Sequence, residues 1–72
     1  MERIKVEEDR VKLSFNNDFY PQEFIDQATE DFSEECKVEH EGEWLVLIPK
    51  TEKPKTVGYE FYNYVLGLIK NQ

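Results

Sequence analysis

The stretch that decides the fold is "CKVEHEGEWLVLIP", residues 36–49. Its first half alternates between charged and uncharged or weakly polar side chains, which is the period-two pattern of a half-buried strand. The dipeptide Glu41-Gly42 follows and predicts a tight turn. From Trp44 to Ile48 every residue is apolar. A strand that is apolar on both faces is typical of the centre of a sheet, so this stretch predicts a hairpin within a larger sheet.

Alternation also divides the second strand of this hairpin between two faces. Trp44, Val46 and Ile48 share one side, and Leu45 and Leu47 share the other. We expect helices to cover the first set, which leaves Leu45 and Leu47 behind the sheet. Apolar side chains that the fold does not cover favour an interface, so Leu45 and Leu47 are candidate partner-binding residues.

Two more strands are predicted near the start of the sequence. Apolar residues fall on even positions at 4 and 6 and on odd positions at 11, 13 and 15. Because side chains alternate along a strand, this change of phase indicates a turn or bulge over residues 7–10. A helix follows, in which Ile25, Ala28 and Phe32 share one stripe with Phe24. Pro21 suits its first turn, and Asn17 or Asp18 is the candidate capping residue.

The final segment, "GYEFYNYVLGLIK" at residues 58–70, predicts a second helix with an unusually wide apolar arc. Helical geometry spreads its apolar residues over about 220°, whereas packing on one sheet needs a stripe of about 100° or somewhat more. Phe61, Val65 and Leu68 are expected in the core. Tyrosine is enriched in binding hot spots, and the candidate contact residues on the remaining surface are Tyr59, Tyr62 and Tyr64.

These elements follow the order ββαββα. The pattern predicts an α+β fold, with two helices on one face of a small antiparallel sheet. Residues 1–72 are expected to form a single domain, whose stability margin is thin because so short a chain buries only about 60% of its unfolded surface. One cysteine excludes an intrachain disulfide. The domain's surplus of uncovered apolar surface also predicts a homodimer, which would form through the last helix or through the outer face of the sheet.

Charge restricts the partners. Sixteen acidic residues against nine basic ones give a net charge of −7, which disfavours direct binding to nucleic acid or to an anionic membrane. Acids concentrate over residues 30–43, where they either keep the hairpin soluble or dock on a basic partner. The candidates for such docking are Glu39, Glu41 and Glu43. With neither a signal peptide nor an apolar run long enough to span a bilayer, we expect a cytoplasmic protein.

Catalytic and metal-binding patterns are missing from the sequence. Cys36 and His40 are the only soft metal ligands, so we expect no metal and no cofactor. Acids surround Cys36, which predicts a protonated thiol. His40 is expected at an exposed position, and a pocket that holds His40 beside a carboxylate such as Glu43 is the feature that would favour an enzyme. We therefore expect no catalytic activity.

The segment "LSFNNDFYPQEFIDQATEDFSEECKVE", residues 13–39, resembles the D component of His-Xaa-Ser peptide-modification systems. The likeness extends over about residues 11–70. It is carried by a strand leading to Tyr20 and a helix with Ala28 and Phe32. In the last helix it is carried by Glu60, Phe61, Asn63 and Leu66. Members of that family are encoded beside radical SAM enzymes that modify ribosomally made peptides, so the resemblance implies an accessory role.

Two functions remain open on the sequence alone. The first is a non-catalytic accessory module that binds a peptide, by adding it as a strand to a sheet edge, or that binds a peptide-modifying enzyme through the last helix. The second is an acidic inhibitor of the phage type, whose carboxylates imitate nucleic-acid phosphates on a basic target. The second function requires the acids to form one continuous stripe, and its affinity would fall steeply with added salt.

Overall fold

A computed structural model of the protein describes residues 3–71. It confirms the α+β class and the predicted order of elements. The six elements are β1 (Arg3–Val6), β2 (Val11–Ser14), α1 (Gln22–Asp31), β3 (Cys36–Glu41), β4 (Trp44–Pro49) and α2 (Pro54–Lys70). The strands form one antiparallel sheet in the order β1-β2-β4-β3. Within this part of the chain, no helix is both long and apolar enough to cross a lipid bilayer.

The predicted hairpin is present, and its turn lies one residue later than the sequence suggested. Glu41 pairs with Trp44, so Gly42 and Glu43 make a two-residue turn. Gly42 has a φ of 61°, and no other described residue has a positive φ. A two-residue turn with positive φ at its first position alone is of type II′, which requires glycine there. Because this turn type needs glycine at its first position, Gly42 determines that the turn consists of residues 42 and 43.

The expectation that Leu45 and Leu47 lie behind the sheet is wrong. Leu47 is fully buried and Leu45 nearly so, and both belong to the core beneath the helices. The register explains this placement, because Leu45 pairs with Leu13 and Leu47 with Val11, which are also fully buried. Side chains directly opposite in paired strands share one face. Leu45 and Leu47 are therefore not at the surface of the single subunit.

The outer face of the sheet is covered by long charged side chains instead of a second layer. Val46 points to this face and is still fully buried. Its neighbours in the register are Lys12 and Glu39. The Lys12 ammonium donates to Glu41 at 2.7 Å, which lays its aliphatic stem across the face. Lysine stems cover apolar surface while their charged ends stay in water, so Val46 is shielded within one subunit.

Helix α1 buries the predicted stripe, with Ala28 fully and Ile25 and Phe32 almost fully enclosed. Its predicted side-chain cap is absent, since Pro21 occupies the N-cap position and makes no side-chain cap bond. The Asn17 amide instead donates to the Tyr20 carbonyl at 3.2 Å. Pro21 has no side-chain oxygen that could accept a hydrogen bond from the first turn of the helix, and Asn17 is used to close the preceding loop.

Helix α2 begins at Pro54, earlier than the quoted stretch, because proline fits the first turn of a helix. Phe61 and Val65 are fully buried, as predicted. Gly58 faces β2, where an added Cβ would lie 2.9 Å from Val11 Cγ2. Real Cβ atoms do not approach so closely, so glycine permits the backbone of α2 to lie near the sheet.

Candidate functional site

The edge of the sheet at β1 has no neighbouring strand among the described residues, since β1 comes first in the strand order. Glu7 N–H donates to the Arg10 carbonyl at 2.8 Å and closes the β1–β2 hairpin. Along two antiparallel strands, residue pairs that exchange backbone hydrogen bonds alternate with residue pairs that do not. The Val6–Val11 and Ile4–Leu13 pairs are therefore non-bonded. The backbone N–H and C=O groups of Ile4 and Val6 consequently point outward, and we call this row the β1 edge.

An apolar hollow lies beside the β1 edge, on the helix side of the sheet. It has a volume of about 220 Å³ and is lined by Ile4, Tyr20, Tyr59, Tyr62 and Leu66. Tyr59 is 52% exposed and Leu66 is 37% exposed. Val6, on the same side of β1 as Ile4, is 48% exposed. The hollow is thus open to solvent and continuous with the side chains of the edge strand.

Tyr62 forms the base of this hollow and is not the exposed contact that the sequence suggested. Its ring is nearly enclosed and lies 4.4 Å, centroid to centroid, from that of Phe15. Its hydroxyl lies 2.8 Å from the Ser14 carbonyl and 3.1 Å from the Arg3 carbonyl. A buried tyrosine needs such a partner for its hydroxyl. Tyr62 therefore fixes α2 to the ends of β1 and β2.

Tyr64 is exposed, as expected, but it lies apart from the hollow that Tyr59 lines. Its ring packs edge-on against Phe32 at 5.4 Å. Its hydroxyl donates to the Asp31 carboxylate, and this hydrogen bond raises the pKa of Tyr64 above its ordinary value. Tyr59 and Tyr64 consequently belong to two separate surfaces of α2, so the three tyrosines do not form one contact patch.

The three acids proposed for docking are each next to a base. Glu41 accepts a hydrogen bond from Lys12, which lowers the pKa of that carboxyl. Glu43 accepts one from Arg3, and Glu39 forms an ion pair with Lys37. Such exposed pairs contribute little to stability, but they do neutralise the hairpin locally. An uninterrupted stripe of free carboxylates is absent at these three positions.

A second hollow, of about 590 Å³, lies between the β3–β4 turn and the start of α1. His40 and Glu43 both line this hollow. A pocket that holds His40 beside a carboxylate is the feature that would favour an enzyme. Glu43, however, bonds Arg3, whose guanidinium also lies 5.0 Å from the Trp44 ring. Among residues 3–71, no hydrogen bond orients the His40 ring, and no three potential ligands converge on a metal position.

Cys36 is buried under α1, where its thiol lies 3.5 Å from the Phe32 carbonyl. Burial and, secondarily, the charge of Glu35 raise the pKa of Cys36, which agrees with the protonated thiol expected from the sequence. A protonated and enclosed thiol is a poor nucleophile. Cys36 is best described as a small core residue.

Sequence reasoning found Tyr59 but missed Ile4, Val6 and Leu66. A signal was present, because Ile4 and Val6 alternate with the basic residues Arg3 and Lys5, and charged side chains are common on edge strands. The position of β1 at the edge follows from the strand order, which the sequence pattern does not provide. Comparison of the chain with protein-family models, curated proteins and solved structures finds no match.

Proposed function

We propose that the protein is a non-catalytic interaction module that binds an extended peptide as a fifth strand at the β1 edge. The observation that carries the proposal is the outward-pointing backbone of Ile4 and Val6 beside the apolar hollow. Strand addition needs both features, because main-chain hydrogen bonds supply affinity and a side-chain pocket supplies selectivity. Peptide residues opposite Ile4 and Val6 would direct their side chains toward the hollow.

The opposite edge of the sheet is less suited to this role. Cys36 N–H points outward from β3 and is already bonded to the Phe32 carbonyl at 3.1 Å. The outward groups farther along β3 belong to Val38 and His40, because the pattern repeats every two residues. His40 adjoins the hollow of about 590 Å³, whose lining mixes charged and polar side chains with apolar ones, whereas the hollow at β1 is lined by tyrosine and aliphatic side chains. We therefore assign the peptide to β1.

The resemblance to the D component of His-Xaa-Ser systems supports a more specific version of the proposal. It implies that the peptide is a ribosomally made precursor and that the module serves a radical SAM enzyme. The acidic-inhibitor alternative draws no support from Glu39, Glu41 and Glu43, since each is next to a base. Glu43 bonds Arg3, and among the described residues no carboxylate orients His40, which favours binding over catalysis.

The test is an NMR titration of the isotopically labelled protein with the peptide acetyl-Thr-Val-Gln-Val-Thr-amide, whose valines alternate with polar residues. We expect the amide signals of Ile4 and Val6 to shift and to gain protection from exchange. Weak affinity suffices, since a dissociation constant of about 1 mM corresponds to about 4 kcal/mol. Shifts confined to Val38 and His40, or no shifts at all, would overturn the proposal.

A matched pair of proline variants separates the two edges. Val6→Pro removes an outward N–H at β1, and His40→Pro removes the equivalent group at β3, while neither N–H belongs to the ladder inside the sheet. We expect Val6→Pro to abolish the peptide-induced shifts and His40→Pro to retain them. Circular dichroism of both variants verifies that the sheet persists. Equal binding by the two variants would contradict the assignment to β1.

A further inference from the structure

The outer face of β1 carries a cation, Lys5, that forms no ion pair among residues 3–71. The charge of Glu41 acts on it from beyond ion-pair distance. Lys5 is exposed and pairs across the strands with Lys12, a like charge. Lys12 has its own carboxylates, Glu41 at 2.7 Å and Glu7 at 3.6 Å. Lys5 is therefore available to a group that arrives along the β1 edge.

Strand geometry specifies where such a group would be. In a strand added at β1, the residue opposite Lys5 points to the outer face, and its two neighbours point to the helix side. Those two neighbours lie opposite Ile4, which lines the apolar hollow, and opposite Val6, an exposed apolar side chain on the same side of the strand. The peptide positions opposite Ile4 and Val6 therefore favour apolar side chains, and the position between them favours a side chain that interacts with the Lys5 ammonium.

We infer that the β1 edge selects an extended peptide in which an acidic residue lies opposite Lys5 between two apolar residues. This inference rests on the proposed function and names the chemistry of the peptide it binds. The net charge of −7 opposes any acidic ligand, but charges beyond about 8 Å are screened at physiological salt. The direct pair with Lys5 lies well inside that distance.

A second copy of this chain is a poorer occupant of the same edge. In an antiparallel pair of β1 strands centred on Lys5, that lysine would lie opposite its own counterpart. A register centred on Ile4 would place Arg3 opposite Lys5. Like charges directly opposite one another are destabilising, whereas an acid there forms a favourable cross-strand pair. A register centred on Val6 would place Glu7 opposite Lys5, but Glu7 lies beyond the end of β1 and is 3.6 Å from the Lys12 ammonium. Within the four residues of β1, charge complementarity therefore favours an acidic peptide over self-pairing.

The experiment compares three peptides that differ at the central position, acetyl-Thr-Val-Xaa-Val-Thr-amide with Glu, Gln or Lys as Xaa. Dissociation constants come from NMR titration of the Ile4 and Val6 amides. A cross-strand ion pair predicts up to about fivefold tighter binding of the Glu peptide than of the Gln peptide, and weaker binding of the Lys peptide. Added salt should reduce these differences.

Variants at Lys5 decide whether that residue causes the preference. We expect Lys5→Glu to reverse the order, so that the Lys peptide binds tightest, and Lys5→Gln to remove the preference while keeping the affinity for the Gln peptide. The matched control, Lys37→Gln on the outer face of β3, should leave the order unchanged. Equal affinity of wild type for all three peptides would overturn this inference and leave the proposed function standing. Binding of none of them would overturn both.

Discussion

The Tyr62 hydroxyl lies 2.8 Å from the Ser14 carbonyl, 48 positions away in sequence, and joins the last helix to the end of β2. The same hydroxyl lies 3.1 Å from the Arg3 carbonyl of the edge strand. Tyr62 thus connects three elements at the base of the apolar hollow. Because β1 has one strand neighbour in the part of the chain that the structure describes, this contact contributes to keeping the edge in position for a ligand.

Replacing Tyr62 by phenylalanine removes the hydroxyl and keeps the buried ring. A hydrogen bond of this kind contributes about 1 kcal/mol, so we expect the free energy of unfolding to fall by about that amount. Urea denaturation measures the change. The control is Tyr59→Phe, which alters a half-exposed ring and should shift stability by less than about 0.5 kcal/mol. Equal losses in the two variants would show that the Tyr62 hydroxyl has no special role.

Replacing each of the two glycines of α2 by alanine is expected to change the stability of the protein in opposite directions. At Gly58 an added Cβ would lie 2.9 Å from the stiff, branched side chain of Val11. At Gly67, apart from the adjoining helix backbone and its two chain neighbours, no atom of residues 3–71 lies within 4 Å of an added Cβ. Helix propensity alone favours alanine by about 1 kcal/mol at either position. Overpacking costs about 1–3 kcal/mol, so we expect Gly58→Ala to be the less stable of the two. Gly67→Ala should be stabilising, and stabilisation by both would contradict the close approach of α2 to β2.

Glu60 predicts a pH-dependent stability. A hydrogen bond to Glu52 raises the pKa of Glu60 above its ordinary value. Since the folded pKa exceeds the unfolded one, the stabilisation is present below the unfolded pKa and is lost as pH rises through the folded value. We expect Glu60→Gln to raise the thermal midpoint at pH 7 and to lose that advantage in acid. Glu8→Gln, which removes a charge in an exposed loop, serves as the control.

The oligomeric state tests whether the β1 edge is open in solution. Leu45 and Leu47 are in the core, so the homodimer predicted from the sequence would have to use other residues, such as Tyr59 and Leu66. The peptide proposal predicts a monomer by light scattering at about 100 µM, a concentration that detects association stronger than about 5.5 kcal/mol. A dimer that Leu66→Ser dissociates would show that a second copy fills the hollow, and would contradict the proposal.

The sequence pattern was sufficient for the class of fold and insufficient for the faces of the sheet. Period-two and helical patterns predicted the hairpin and the buried stripe of α1, because each depends on neighbours close in sequence. A strand apolar from Trp44 to Ile48 gives no indication of which face meets the helices. The pairing of Leu45 with Leu13 decides it, and that pairing depends on residues far apart along the chain.

The candidate site was still less accessible to sequence reasoning. Ile4, Tyr20 and Leu66 come from three distant segments and meet only after the sheet and α2 have assembled. The exposure of Tyr59 followed from its place at the edge of the apolar arc, but the burial of Tyr62 did not, since an arc shows where side chains point and not how deeply they are covered. The arc therefore predicts a contact residue at Tyr62, because a sequence does not show the backbone partners of its hydroxyl.

Helix α2, the last of the six elements to be synthesised, contributes Val57, Phe61, Tyr62 and Val65 to the core. Until this helix has left the ribosome, the helix-facing side of β2 and β4 has no cover from it, and the β1 strand lacks its connection to Tyr62. Nascent chains in that condition are prone to aggregate through exposed strands. Folding of this protein is therefore expected to finish only after α2 emerges, and chaperones that shield unfinished chains should raise its yield.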